Sequence, residues 1–326
     1  MNVTLLGAGA WGTALGVVLS RNGHSVRLWG HRPDHLASLA RSRTNERFLP
    51  GIALEGDWNF ESGFDAAVAG ADAVVIAVPS KAFREAAGRL AGFRGPVVSV
   101  TKGIEFSTGL TMTGILDEVS PGLQVAALSG PSLALEVARG IPTAVVAASR
   151  DEAVSRGVQD LFHRPAFRVY RSTDLIGVEL GGALKNVIAI AAGVCDGLGY
   201  GDNAKAALVT RGKTEMMRLG VACGARAETF SGLSGLGDLV LTCFSRQSRN
   251  RGFGEQVGRG RPVAEVLAAS ESAVEGYPTA RSAWALARRL KVDAPIIAEV
   301  HAMLYEGKDV RQAVHDLLSR DSKAED

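Results

Sequence analysis

The chain has 326 residues, 46% of them apolar and 21% charged, and its 36 Lys and Arg against 34 Asp and Glu leave a formal charge of +2. That length exceeds what one hydrophobic core usually serves, so two domains are expected, and the composition is that of a globular chain. A balanced charge without a long basic run excludes nucleic acid as the main partner, whereas a small anionic ligand needs only a few well-placed cations. Only residues 322–326 read as disordered. The N-terminus lacks a charged leader followed by a long apolar stretch, and residues 187–194, broken by Gly193, are too short to span a bilayer. Cys195, Cys223 and Cys243 are widely spaced, form no C-x-x-C and have no His at zinc-ligand spacing, which predicts buried free thiols and no metal. A cytoplasmic protein without stable membrane insertion is expected.

Residues 3–6 predict a strand, followed by an Ala-rich helix over about 11–21 that Asn22-Gly23 ends. Strands follow at 25–29, 73–78, 97–100, 125–128 and 143–147, with 167–170 as a last edge strand. Most are continuous apolar runs, as strands buried on both faces require. Their alternation with helical patterns predicts a mostly parallel sheet covered by helices. From Thr173 the pattern changes, and helices are predicted over 174–194, 203–222, 262–270, 278–290 and 295–305. The expected division is 1–172 as an α/β domain and 173–326 as an all-α domain.

Gly7-Ala8-Gly9-Ala10-Trp11-Gly12 stands directly after the first strand and opens the first helix. In that context Gly7 permits the tight turn, Gly9 lets the backbone approach a pyrophosphate, and Gly12 allows close helix–strand contact. The helix N-terminus adds free N–H groups and a partial positive charge. The N-terminal half therefore reads as a Rossmann-like domain binding NAD or NADP. No carboxylate follows the second strand, which ends in Leu28-Trp29-Gly30-His31-Arg32, and Arg32 can meet a 2′-phosphate; NADP is favoured over NAD. Asp34, after Pro33, fits the first turn of a helix rather than a ribose.

Ligands of open α/β sheets bind beyond the carboxyl ends of the strands. Those ends carry Pro79-Ser80, Thr101-Lys102-Gly103 and Ser129-Gly130-Pro131-Ser132. Each alone is most simply a turn, yet Lys102, Gly130 and Ser132 converge on one edge.

Lys185 is the strongest local anomaly. Its helical neighbours are Gly181, Gly182, Ile188 and Ala189, a face with no carboxylate. A lysine there must snorkel, pair with something distant, or sit in a functional cavity, and the small residues one turn back would let a ligand come close. Desolvation and a second cation such as Lys102 would lower its proton affinity and suit it to acid–base work on a carbonyl oxygen, with Asn186 beside it. By spacing alone, Asp238 after Gly235-Leu236-Gly237 reads as a helix cap. Ser248-Arg249-Asn250-Arg251 reads alone as a solvated loop between helices, although Arg249 and Asn250 are suited to clamp an anion.

The blocks 180–190, Gly201-Asp202-Asn203-Ala204-Lys205, Thr210-Arg211-Gly212, Gly235–Leu239, Gln247–Arg251 and Val274-Glu275-Gly276-Tyr277 resemble NAD(P)-dependent glycerol-3-phosphate dehydrogenase of the bacterial type. The likeness covers nearly the whole chain in order. It implies reversible reduction of dihydroxyacetone phosphate to sn-glycerol 3-phosphate, which feeds phospholipid synthesis. It further implies Lys185 as general acid/base, with Lys102 and Asp238 in the same pocket. Gly130, Ser132, Ser248, Arg249 and Asn250 would hold the substrate; Ala10, Trp11, His31, Lys102, Ala134, Arg249 and Glu275 would touch the cofactor. Phe244 departs from the pattern, where a smaller polar residue is expected. Two other readings compete. One is a hydroxyacid dehydrogenase of the 6-phosphogluconate or 3-hydroxyisobutyrate type, in which lysine and asparagine stand about a helical turn apart. The other is a non-catalytic cofactor sensor, which would not need Lys185. A homodimer is compatible with the sequence without being specified by it.

Overall fold

The computed structural model describes residues 1–270 and 273–320, so the disorder expected for 322–326 falls outside the described residues. The chain divides into two compact units. The first comprises Met1–Lys102 and Leu110–Glu179, the second Gly103–Gly109 and the chain from Leu180 onward.

The strands of the first unit are β1 (Asn2–Leu6), β2 (Ser25–Trp29), β3 (Thr44–Asn45), β4 (Leu49–Ala53), β5 (Trp58–Glu61), β6 (Ala73–Ile76), β7 (Pro96–Ser99), β8 (Gln124–Ser129), β9 (Thr143–Ala148) and β10 (Phe167–Ser172). Eight of them form one sheet in the order β10-β9-β8-β7-β6-β1-β2-β5, and β3 pairs with β4 in a separate hairpin. Neighbours in the large sheet are parallel except β8 and β9. This is the mostly parallel, Rossmann-like sheet that the apolar runs predict. Val3, Leu5, Leu6, Val74, Val75, Ile76, Val97 and Val98 are all fully buried, the condition that makes such strands apolar throughout. Strand order reverses at β1 and β6, whose carboxyl ends flank the crevice where a doubly wound sheet takes its ligand.

Sequence reasoning misses the hairpin and β5. Leu49-Pro50-Gly51 carries two strand breakers, tolerated here because β4 has a single partner. The helices α1 (Ala10–Arg21), α2 (Pro33–Ser42), α3 (Phe64–Val68), α4 (Phe83–Gly88), α5 (Met112–Val119), α6 (Ala134–Arg139) and α7 (Glu152–Phe162) connect the strands. Pro33 begins α2 with Asp34 in its first turn, as expected.

Beyond β10 the described residues are helix, turn and loop. They form α8 (Leu175–Gly197), α9 (Asp202–Ala222), α10 (Asp238–Phe244), α11 (Arg249–Gly258), α12 (Val263–Ala268), α13 (Gly276–Leu290), α14 (Pro295–Tyr305) and α15 (Val310–Leu318). Of these, α10, α11 and α15 are not foreseen from the sequence. Helix α8 has 23 residues and is apolar enough to cross a membrane by length and composition, but 94% of its most apolar stretch is buried inside the protein. It is a core helix. Gly193 and Gly197 on α8 meet Gly254 and Gly258 on α11 so closely that a Cβ on Gly193 would fall 1.9 Å from the Arg251 carbonyl oxygen, and one on Gly254 would fall 2.0 Å from that of Ile190. The two G-x-x-x-G faces let the helix backbones touch.

Candidate active site

The Gly-rich turn is built as its sequence requires. Gly7 sits at φ +128, a conformation L side chains rarely adopt, and a Cβ there would meet the Ala77 carbonyl oxygen at 2.6 Å. A Cβ on Gly12 would fall 2.1 Å from the Gly7 carbonyl oxygen, whereas around Gly9 nothing lies within 4 Å. Open space at Gly9, at the N-terminus of a twelve-residue helix without a side-chain cap, fits a pyrophosphate group. The Trp11 indole N–H is buried without a hydrogen-bond partner, which also fits a ligand there. Asn45, missed by sequence reasoning because β3 is unseen, braces this turn. Its amide donates to the Ala8 carbonyl (3.2 Å) and to the Thr13 hydroxyl (2.7 Å) from full burial.

His31 and Arg32 are exposed just past β2. A carboxylate does stand beside that strand end: Glu61 of β5 pairs in register with Trp29, and its Oε1 accepts the Gly63 N–H at 2.8 Å. At the ends of β7 and β8, Lys102 and Ser132 both donate to the Gly130 carbonyl, at 3.3 and 3.0 Å. Gly130 is at φ +145, with the Val145 Cα 2.9 Å from where a Cβ would stand, so the turn bringing these groups together admits glycine alone. Ala134 opens α6 just beyond.

In the second unit, Lys185 is only 7% exposed on α8. Its Nζ donates to Asp238 Oδ1 at 2.5 Å and to Thr242 Oγ1 at 2.6 Å. The partner it lacks on its own helix face comes from α10, so of the alternatives the sequence leaves open the ammonium takes the distant pairing and keeps a counter-charge. Asp238 is not the cap its spacing suggests. It is the first residue of α10, after Gly237 at the N-cap, and turns its carboxylate, 1% exposed, on Lys185. Thr242, one turn on, donates to the Asp238 carbonyl at 2.6 Å. It is a site residue the sequence reading lacks, and its i, i+4 spacing from Asp238 is the signal that recognition of α10 would have supplied.

A π-turn at Leu233–Gly237 precedes α10, a distortion often found beside functional groups. A Cβ on Gly181 would fall 2.6 Å from the Ser234 carbonyl oxygen. Gly181 therefore admits the π-turn that delivers Asp238, and not a ligand as expected from the sequence.

The Ser248–Arg251 segment is no solvated loop. Ser248 caps α11 by accepting the Arg251 N–H at 3.2 Å, while Asn250 is buried and Arg251 pairs with Asp196 and Glu255. Asn250 Nδ2 donates to Asn186 Oδ1 at 2.9 Å, and its Oδ1 accepts the Gly276 N–H at 2.9 Å. Arg249 is exposed as a residue, though protein atoms crowding it lower its guanidinium pKa against the field of Glu275. The residue reaches solvent, and the guanidinium stays charged. Lys205 pairs with Asp196 and lies over the Phe244 ring, 5.2 Å from its centroid. The bulky residue at 244 thus has a cation to cover.

Among the thiols, burial pushes Cys243 up to about 12 and Cys195 up to about 11, which leaves both unreactive. Cys223 is only half-buried, contrary to expectation, because it lies just past the end of α9.

Residues 2–155 match the family described as NAD-dependent glycerol-3-phosphate dehydrogenase N-terminus, and 174–315 the corresponding C-terminus. A protein of Pelodictyon phaeoclathratiforme called glycerol-3-phosphate dehydrogenase [NAD(P)+] is 48% identical, with 100% of this chain and 99% of that protein covered. One of the same name from Syntrophotalea carbinolica is 49% identical over 331 residues, which take in 100% of this chain. The crystal structure of glycerol-3-phosphate dehydrogenase from Coxiella burnetii superposes with a TM-score of 0.94 at 41% identity, covering 98% of this chain and 99% of that one. With both halves matched and full-length relatives near half identity, the chain belongs to the NAD-dependent glycerol-3-phosphate dehydrogenase family.

Proposed function

We propose that this protein catalyses the reversible reduction of dihydroxyacetone phosphate to sn-glycerol 3-phosphate with NADH or NADPH, supplying glycerophospholipid synthesis. The observation that carries the chemistry is the buried Lys185 ammonium held by Asp238 and Thr242. Residues 1–172 form the dinucleotide-binding domain and 173–326 the helical domain that carries Lys185, and each lends residues to cofactor and substrate alike. The dinucleotide, when bound, supplies the hydride.

Gly7, Gly9, Ala10, Trp11 and Gly12 hold its pyrophosphate end, and His31 and Arg32 read the adenosine ribose, with NADP favoured. Lys102, Ala134, Arg249 and Glu275 complete the cofactor contacts. Arg249, with Ser248, Asn250, Gly130 and Ser132, serves the phosphorylated substrate, for which charge-assisted hydrogen bonds are the strong choice. Lys185 donates a proton to the C2 oxygen as the carbon–hydrogen bond forms, and takes it back in the reverse direction. Lys102 and Asn186 stabilise the charge that develops on that oxygen. Asp238 holds the lysine in position and balances its charge.

The test is an assay of the purified protein with dihydroxyacetone phosphate and each reduced cofactor, set against unphosphorylated dihydroxyacetone. Oxidation of NADPH or NADH only with the phosphorylated ketone supports the reading. Equal rates with both ketones would favour the hydroxyacid dehydrogenases, and no oxidation a cofactor sensor. The proposed protein works in the cytoplasm as a homodimer, an assembly that light scattering tests directly.

A further inference from the structure

A glycine-rich turn can present either side of a peptide unit to its ligand. In the planar trans peptide that joins Ala8 to Gly9, the Ala8 carbonyl and the Gly9 N–H point in opposite directions, so whatever holds one aims the other. The turn by itself does not choose. Gly9 stands at φ −81, and glycine accepts the positive φ of the reversed peptide about as readily. Reversed, the peptide would offer a carbonyl oxygen where a pyrophosphate needs a donor.

The choice is made from outside the turn. Asn45, 0% exposed, donates both Nδ2 protons, one to the Ala8 carbonyl at 3.2 Å and the other to the Thr13 hydroxyl at 2.7 Å. A carbonyl oxygen only accepts, so Nδ2 must face it, even though this leaves Oδ1 buried without a partner among the described residues. With the Ala8 oxygen so held, the Gly9 N–H points away from Asn45, and no acceptor among the described residues takes it. Asn45 is itself anchored on both sides. Arg43, two residues earlier, sits at φ 53, rare for a residue with a side chain, and its guanidinium donates to the carbonyls of Leu54, Gly56 and Trp58 at 3.1, 2.7 and 3.4 Å. The Asn45 carbonyl accepts the Phe48 N–H at 3.1 Å within the β3–β4 hairpin.

We infer that Asn45 is a positioning residue for the cofactor: it locks the Ala8–Gly9 peptide with its N–H towards the pyrophosphate, and so sets dinucleotide affinity from the β3–β4 hairpin. This rests on the proposed place of the pyrophosphate at Gly9.

The test is Asn45→Leu, which keeps the shape and removes the donor. NADH affinity in a fluorescence titration should fall about 10- to 100-fold, the weight of one charge-assisted hydrogen bond, while kcat at saturating NADH changes by less than about threefold. Adenosine, which has no pyrophosphate, should bind the variant within about threefold of the wild type. Thr13→Val, which removes only the second Nδ2 partner, should likewise keep NADH affinity within about threefold. Unchanged NADH affinity in Asn45→Leu would overturn the inference. So would an equal loss for adenosine or an equal loss in Thr13→Val, since either reports a slackened turn and not one misdirected N–H. If Asn45→Leu fails to fold, the labelled wild type decides. NADH should move the Gly9 amide proton downfield and an Asn45 Nδ2 proton with it, because a peptide whose N–H is bound makes its carbonyl a stronger acceptor. A Gly9 signal that moves while Asn45 stays overturns the inference alone. A Gly9 signal that NADH leaves in place refutes the siting of the pyrophosphate, and the inference with it.

Discussion

Lys185 owes its place to three other residues. Gly181 has no side chain to hold off the π-turn, that turn delivers Asp238, and Thr242 closes the cluster one helical turn later. Each is needed for a different reason, so their variants should fail differently. Lys185→Ala should lower kcat by about a thousandfold while leaving cofactor affinity nearly unchanged; steady-state kinetics and cofactor titration by fluorescence separate the two, and near-normal turnover would refute the role. Asp238→Ala leaves a buried ammonium without its counter-charge and should reduce stability by about 3–5 kcal/mol in urea unfolding, a loss Lys185→Ala does not share in full. At the other end of the reaction, Arg32→Glu should raise the KM for NADPH about tenfold more than that for NADH, since only NADPH carries a 2′-phosphate; an unchanged ratio would remove Arg32 from cofactor choice. Lys185 was legible in the sequence because a charged residue among small and apolar ones is anomalous wherever its helix lies. By spacing alone Asp238 reads as a cap, and only the resemblance puts it in the pocket, because its partner is 53 positions away and no local spacing encodes that contact.

Among the elements, the pair α8 and α11 determines how precisely the second unit is assembled. Their contact runs through Gly193 and Gly197 against Gly254 and Gly258, with backbone atoms where side chains would otherwise stand. Gly254→Ala should therefore cost about 1–3 kcal/mol by overpacking, although alanine is the better helix former. Gly157 in α7 is the control, exposed and with nothing within 4 Å of its would-be Cβ; Gly157→Ala should stabilise by about 0.5–1 kcal/mol. Opposite signs in denaturant unfolding would establish that packing and not propensity holds α8 to α11; equal signs would refute it. The strongly patterned elements, β1, α8, α9 and α14, were readable because an apolar, buried run or a sustained helical period leaves a mark in composition. Elements without such a pattern were not. Strands β3 to β5 span two to five residues each with turn formers among them, and α10 and α11 begin at segments that resemble loops.

For the molecule as a whole, pH acts on stability through at least one buried carboxyl. Glu215 on α9 accepts the N–H groups of Ile296 and Ile297 at the start of α14, at 2.8 and 3.1 Å, and burial raises its pKa from 4.5 to about 7 despite those bonds. A carboxyl raised in the folded state binds its proton more tightly there than in the unfolded chain. Its contribution is therefore greatest below pH 4.5, declines as pH rises towards 7, and is constant above that. The decline is on the order of 3 kcal/mol. Unfolding free energies of the wild type and Glu215→Gln, compared from pH 5 to 8, should diverge with that slope, and parallel curves would show that Glu215 titrates normally.

Local order is what the sequence alone determined here: the parallel sheet from runs apolar on both faces, the dinucleotide turn from glycines placed straight after a strand, and a helical second half from its periodicity. These are properties of neighbours along the chain, and composition at fixed spacing records them. Only the tertiary structure decided which distant groups meet, Lys185 with Asp238 and Thr242, Asn250 with Asn186 and Gly276, and α8 with α11. Hydrogen bonds and close packing depend on distances of a few ångströms between residues tens of positions apart, and those distances exist only once the helices have packed.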